Sequence, residues 1–345
     1  MIPIQNIYYM LSYAFQILNE QGYKNIATEQ FHNTAELMAA ILEKGIAIQL
    51  KRGLGKEYIP QTEALSSLRG KIDIAESIKT QSMLRKQLIC TYDEFSVNSI
   101  MNRIIKSTVE LLLRSNISKQ RKKNLRKLMV YFSDVDFIDL YTVNWNVQYN
   151  RNNQTYRMLI SICYLVVKGL LQTQSNGHTK LMDFLDEQRM CRLYEKFILE
   201  YYRREFKNQI TANASQIPWQ LDNEENAMLP VMQSDIMLQR GEKVLIIDAK
   251  YYEHSTQVQF DKHTLHSGNL YQIFTYVKNK EYELREKEHT VSGMLLYAKT
   301  DEEICPNNVY QMSGNQITVR TLDLNLPFDE IAGQLNTIAK THFNL

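Results

Sequence analysis

SDIMLQRGEKVLIIDAKYYE, residues 234–253, places an aspartate ahead of a Gly-Glu pair and an Asp-x-Lys behind it, inside an otherwise apolar run. Gly241 and Glu242 read as the central residues of a hairpin turn, with glycine first as a type II′ turn prefers. Position i then faces position 483 − i, so Asp235 stands opposite Asp248. Cross-strand neighbours lie about 5 Å apart, and like charges at that spacing repel. Lys250, two residues past Asp248, projects from the same face, while Leu245, Ile247 and Ala249 make an apolar opposite face. A lone Lys–Asp pair would be an ordinary strand salt bridge. Two facing carboxylates ask for more, because burying them uncompensated is costly. A hard divalent cation removes the conflict: Mg²⁺ takes oxygen ligands, a few carboxylates and several waters. Asp235 and Asp248 are therefore the expected metal ligands. A water held by such an ion becomes a nucleophile, and Lys250 beside it orients that water or offsets charge on a phosphorane.

Two flanking helices extend this constellation. RLYEKFILEYYRREF carries Glu195 at the edge of an apolar face formed by Leu193, Tyr194, Phe197, Ile198 and Tyr201. Glu195 can reach the metal's inner or outer shell, or can be a solvated helix acid; Glu200 competes for the same role. Downstream, NLYQIFTYV puts Gln272 and Tyr276 at i and i+4, on one helical face. Both can meet a phosphate backbone or Lys250, and a tyrosine there can equally be plain core.

The bulk composition leaves room for this chemistry. At 345 residues the chain suits two domains, and 44% hydrophobic with 23% charged residues is that of a globular protein. A formal charge of +2 does not mark a constitutive nucleic-acid binder, so any DNA contact must come from a local patch. Cys90, Cys163, Cys191 and Cys305 are dispersed and form no CxxC pair, which fits a reducing compartment and excludes a zinc ribbon. His263 and His266 have no Cys or carboxylate cluster to join them as zinc ligands. MIPIQNIYYM has no basic leader region, and MLISICYLVVKGLL (158–171) is shorter than the roughly 20 residues of a membrane span, so a cytoplasmic protein is expected.

Periodicity predicts a helix at the N-terminus, with Ile7, Met10, Leu11, Ala14 and Leu18 on one face, and another from Thr34 until Gly45. Residues 46–74 read as short hairpins broken by Gly53, Gly55, Pro60 and Gly70. Two helices follow, NSIMNRIIKSTVELLLRS and the basic SKQRKKNLRKLMVYF with Lys119, Arg121, Lys122, Lys123, Arg126 and Lys127. That basic helix reads as a solvated face, with partner or DNA contact as the alternative. A boundary is expected near residue 150, giving domains 1–150 and 151–345.

Taken in order, the Glu helix, Asp, Asp-x-Lys and Gln-x-x-x-Tyr helix resemble the PD-(D/E)XK nuclease superfamily in its RecB-like form. Ser234 stands where that pattern has proline. IPIQNIYYMLSYAF, KRGLGKEY, LRGKID (68–73), NRIIKST (102–108) and IIDAKYY (246–252) further resemble the McrC family, over nearly the whole chain. The resemblance implies an α/β fold, with a C-terminal nuclease core of mixed sheet flanked by helices behind an α+β N-terminal domain with hairpin fingers. It implies Mg²⁺-dependent cleavage of DNA, with 5-methylcytosine as the mark, in phage defence. It implies a hexameric McrB-like AAA+ GTPase as partner, double-stranded DNA as substrate, and association of two copies, or two hexamers, through the nuclease domains. GLGKE (53–57) lacks the spacing of a phosphate-binding loop, so GTP must be bound by the partner. KRGLGKEY reads as a hairpin tip exposing Lys51, Arg52 and Lys56, either a solvated turn or, by the resemblance, part of the finger that meets the GTPase. The competing function is a non-catalytic protein that only activates an AAA+ partner; intact Asp235, Asp248 and Lys250 favour the nuclease.

Overall fold

The computed structural model describes residues 2–15, 18, 23, 26, 29, 31–151, 153–174, 187–222, 228–252, 257–259, 262–299 and 305–345. The chain divides into two compact units, residues 31–183 and residues 1–30 together with 184–345. The first helix, α1 (Ile4–Ala14), thus belongs with the C-terminal half, and the units do not follow the boundary expected near residue 150. The reason is aromatic packing. Tyr13 lies against Phe197, Tyr201 and Phe328, with ring centroids 5.3–5.7 Å apart, and Tyr9 stacks on Phe328 at 4.5 Å.

The unit of residues 31–183 begins with α2 (Thr34–Arg52), whose N-cap Asn33 accepts the Glu36 amide at 2.8 Å. The expected stop at Gly45 does not occur. Gly45 is buried within the helix, and the turn comes at Gly53, where φ is +91° and Gln49 donates to the carbonyl at 2.8 Å. Burial of this helix outweighs the roughly 1 kcal/mol that glycine costs a helix interior. Then come β1 (Glu57–Leu65), β2 (Lys71–Asp73), α3 (Ile74–Lys79) and β3 (Leu88–Ser96). The expected local hairpins are instead one long antiparallel pairing, Glu57↔Ser96 through Leu65↔Leu88, with β2 on the other side of β3. Pro60 sits inside β1 because β1 is an edge strand, where a missing amide donor goes unpunished. The helices α4 (Ile100–Arg114), α5 (Lys119–Met129) and α6 (Tyr156–Gln174) complete the unit. A buried polar clamp joins α4 and α6 to the start of β1. Tyr156 donates to Asn102 Oδ1 at 2.7 Å and accepts the Gly55 amide at 2.7 Å, while Asn102 donates to the Gly55 carbonyl at 2.9 Å.

The other unit is α/β, as expected. Its elements after α1 are α7 (Glu187–Glu205), β4 (Thr211–Asn213), β5 (Gln216–Ile217), β6 (Met232–Gln233), β7 (Ile236–Arg240), β8 (Lys243–Lys250), β9 (Gln257–Gln259), β10 (Lys262–Thr264), α8 (Ser267–Glu283), β11 (Thr290–Ala298), β12 (Asn308–Met312), β13 (Asn315–Leu322) and α9 (Phe328–Phe343). Six strands make a mixed sheet in the order β12-β13-β11-β8-β7-β4. β8 is central, antiparallel to β7 and parallel to β11, and nearly every residue in it is buried. Helix α8 covers one face, its Ile273, Tyr276 and Val277 packing with Val244, Ile246, Leu295 and Ile317. Gly293 in β11 permits that approach: a Cβ there would meet side-chain atoms of Ile273, Ile317 and Val277 at 2.8–2.9 Å. α7 and α9 pack together, with the Tyr202 hydroxyl donating to the Leu335 carbonyl at 2.9 Å. Among the described residues no helix is long and apolar enough to cross a membrane.

Candidate active site

The hairpin register is the one read from the turn. Ile236 pairs with Ile247 and Arg240 with Lys243, both sums being 483, and Gly241 has φ +60° while Glu242 has no positive φ, as in a type II′ turn. Continued one residue, the register sets Asp235 opposite Asp248. β7 begins only at Ile236 because Asp235 turns its side chain to the neighbouring backbone: Oδ2 accepts the Ala249 amide at 3.0 Å. Ser234 is buried and donates its amide to the Ser215 carbonyl at 3.0 Å, and its Oγ accepts the Ser215 amide at 3.3 Å; a proline could do neither.

Asp248 is 1% exposed. Lys250 Nζ stands 2.8 Å from its Oδ1, yet neither carboxylate oxygen receives a hydrogen bond of sound geometry. Burial pushes the Asp248 carboxyl well above the usual range; Lys250 opposes the shift, and the nearby Asp235 adds to it. Burial works against the Lys250 charge too, but pairing with Asp248 overcomes it and holds the ammonium above its ordinary range. Lys250 therefore remains a cation throughout neutral pH. Its other neighbour is Gln272, whose Oε1 lies 3.4 Å from Nζ and whose Nε2 donates to the Tyr276 hydroxyl at 3.0 Å. The expected Asp235, Asp248, Lys250 and Gln272 are thus brought together. Tyr276 is 8% exposed within the apolar cluster under the sheet, so its placement matches the core reading rather than the expected DNA contact.

Glu195 lies within electrostatic range of Asp235 and Lys250, and burial, followed by the Asp235 charge, pushes its carboxyl up. Its observed partner is the Cys191 thiol, which donates at 3.1 Å. Burial pushes that thiol up to about 12, so it stays protonated as a donor. The competing Glu200 is occupied by Arg203 at 2.8 Å. Among the described residues no group of three or more His, Cys, Asp and Glu converges as a metal cluster. The fit is to a two-carboxylate site: the buried Asp248 oxygens face a second acid, and a bound Mg²⁺, which keeps most of its waters, would offset the burial that favours the protonated carboxyl.

A supporting layer lies behind Lys250 that spacing did not disclose. Tyr297 of β11 is its register partner, fully buried, and Asn269 donates to the Tyr297 hydroxyl at 3.0 Å. The Tyr252 hydroxyl lies 3.3 Å from Asn269 Oδ1. Asn269 is three residues before Gln272 on α8, and that helical spacing was the available signal. His263 has a side chain outside the described residues. Lys51, Arg52 and Lys56 are exposed as expected, but on the last turn of α2 and the approach to β1, not on a hairpin tip.

A profile of the family described as "McrBC 5-methylcytosine restriction system component" matches residues 5–298. The chain belongs to this family. Its McrBC relatives include the Escherichia coli K12 type IV methyl-directed restriction enzyme EcoKMcrBC, 30% identical over 329 residues, covering 94% of this chain and 93% of that protein. Among solved structures, a half-complex of Thermococcus gammatolerans McrB AAA+ hexamers with bound McrC shares the fold. Its TM-score is 0.50 at 18% identity, over 97% of this chain and 76% of that one. The cryo-EM structure of the T. gammatolerans McrBC complex aligns over 59% of each chain, with a TM-score of 0.42 and 22% identity. The McrBC assignment thus rests on sequence along most of the chain, and it makes this protein a restriction-system component.

Proposed function

We propose that this chain is the DNA-cleaving subunit of a GTP-driven restriction complex, a Mg²⁺-dependent endonuclease of the PD-(D/E)XK type. The observation that carries the reading is the buried Asp248 carboxyl, 2.8 Å from Lys250 and facing Asp235, in a restriction-system chain. Asp235 and Asp248 would hold Mg²⁺, which when bound supplies charge neutralisation and water activation at the scissile phosphate. The chain's own residues do the rest. The Ala249 amide orients Asp235. Gln272 and Asp248 hold Lys250 from two sides, so its permanent charge is preorganised to meet the negative charge that builds on the phosphoryl oxygens as the P–O bond breaks. Glu195, kept in place by Cys191, is the helix acid of the site, acting through water or beside the ion.

The sequence shows no phosphate-binding loop of the GxxxxGK[ST] type, and one solved structure that shares the fold holds McrC bound to McrB AAA+ hexamers. The partner is accordingly an McrB-like GTPase hexamer, which reads the methylated DNA and binds GTP. This chain stimulates it through the unit of residues 31–183, with Lys51, Arg52 and Lys56 near the base of the β1–β3 arm. The test is cleavage of methylated and unmethylated plasmid by the purified chain with its McrB-type partner, GTP and Mg²⁺. Wild type should cut; Asp248→Ala should assemble and stimulate GTP hydrolysis without cutting. Cutting by Asp248→Ala at the wild-type rate would remove the proposed site. Stimulation with no cutting by either protein would leave only the activator role.

A further inference from the structure

Helix α5 sorts its cations by face. At 3.6 residues per turn, Lys119, Lys123, Arg126 and Lys127 fall within an arc of about 100°, and all four are exposed. The opposite face carries Leu125, fully buried, and Arg121, which is neutralised by Glu43 at 2.8 Å and Glu36 at 3.3 Å. Asn124 adds a bond to Glu43 at 2.9 Å. The helix is therefore seated firmly through one charged residue whose charge is cancelled, and it presents a stripe whose charge is not. Among the described residues none of the four outward cations makes an ion pair, and α5 contains no acid. At its end Tyr131 is 67% and Val130 72% exposed.

A net charge of +2 for 345 residues makes this concentration local. Two kinds of partner meet such a stripe, an acidic protein surface or a nucleic-acid backbone. Lysine is depleted from protein–protein interfaces, whose centres are apolar, whereas DNA interfaces are strongly cationic and polar. Three of the four stripe residues are lysines, and there is no apolar centre among them. Successive stripe positions 119, 123 and 127 are about 6 Å apart along the axis, a row of point charges suited to phosphates rather than to one pocket.

We propose that the outward stripe of α5, Lys119, Lys123, Arg126 and Lys127 with Tyr131 at its end, is a sequence-independent docking surface for the phosphate backbone of duplex DNA. The proposal rests on the reading of this chain as a DNA-acting protein and extends it. Such contacts position a duplex without reading bases, leaving selection of the methylated site to the partner.

The experiment measures binding apart from cleavage. Fluorescence anisotropy of a short unmodified duplex is followed with the full-length chain at low ionic strength in EDTA, across a salt series. The combined Lys119→Glu, Lys123→Glu, Lys127→Glu variant should bind more than about ten-fold more weakly. Its slope of log affinity against log salt should fall by about three, near 0.9 per lost phosphate contact. The three corresponding Gln substitutions should give an intermediate loss, and circular dichroism should match wild type for both variants. Affinity and slope equal to wild type in the Glu variant would overturn the proposal, as would no DNA binding by wild type. Retained DNA binding with lost assembly onto the GTPase would also overturn it, making the stripe a protein interface. Because binding is read in EDTA, it is separate from cleavage: a wild type that binds DNA through this stripe, yet cuts no plasmid when partner, GTP and Mg²⁺ are supplied, would sink the nuclease reading alone.

Discussion

Asp235 reaches across the hairpin to the strand that carries Asp248, accepting the Ala249 amide through Oδ2 at 3.0 Å. This structural bond and the metal-holding role proposed for Asp235 are separable by substitution. Asp235→Asn keeps an oxygen acceptor for the amide and loses the charge. Asp235→Ala loses both and strands a donor in a fully buried residue. Both variants should lose DNA cleavage. Urea unfolding should show Asp235→Ala destabilised by about 1–3 kcal/mol, the cost of an unsatisfied buried donor, and Asp235→Asn by clearly less. Equal stability of the two would mean the Ala249 bond contributes nothing.

Asp248 links the site to pH. Its folded carboxyl is pushed up, chiefly by burial, so the folded chain binds a proton there more readily than the unfolded chain does. Its contribution is fully present below the usual carboxylate range and is lost as pH rises through the raised folded value. Glu195 shifts in the same direction. The Lys250 ammonium stays charged in both states across this window and adds no slope. In EDTA, wild type should therefore lose melting temperature relative to Asp248→Asn between pH 5 and pH 8, roughly the window those directions define. Mg²⁺ should restore it, more strongly at the higher pH, because it binds the deprotonated pair. Parallel melting curves for the two proteins at both pH values would contradict this account.

The layer behind Lys250 should matter to rate more than to binding. Asn269 holds the Tyr297 hydroxyl at 3.0 Å and lies beside Tyr252, framing the strand positions next to Lys250. Asn269→Ala should lower the single-turnover cleavage rate by about 10–100-fold, the effect typical of residues that orient a site's ligands. The apparent affinity for DNA should be unchanged, and Asn269→Asp should recover part of the rate. A fall in affinity alone would assign Asn269 to DNA binding.

Gly293 is a packing test. Its missing Cβ leaves room for Ile273 and Val277 of α8, the helix that delivers Gln272. Gly293→Val should destabilise the protein by about 1–3 kcal/mol through overpacking, read from chemical denaturation. Cleavage should fall further than Gly293→Ala makes it, since α8 must shift away from Lys250. Wild-type stability in Gly293→Val would show that the helix is less closely held.

The hairpin at 234–250 was legible because its two determinants are local. A Gly-first two-residue turn sets the register, and strand periodicity puts Asp248 and Lys250 on one face. Gln272 and Tyr276 were legible for the same reason, as an i, i+4 pair on one helix. Other features depend on partners distant in sequence. Gly45 and Pro60 are local breakers, yet α2 runs on to Arg52 and β1 runs through Pro60, since helix burial and an edge position outweigh propensity. The pairing of β1 with β3 skips residues 66–87, so no short-range signal marks it. Only tertiary packing joined α1 to the C-terminal unit, through Tyr13, Phe197, Tyr201 and Phe328. The choice between Glu195 and Glu200 was likewise tertiary. Both are acids on one helix; Glu200 pairs locally with Arg203 three residues on, whereas only the fold sets Glu195 near Asp235. Turn chemistry and side-chain period are written in neighbouring residues, whereas burial and charge contact exist only once distant segments meet.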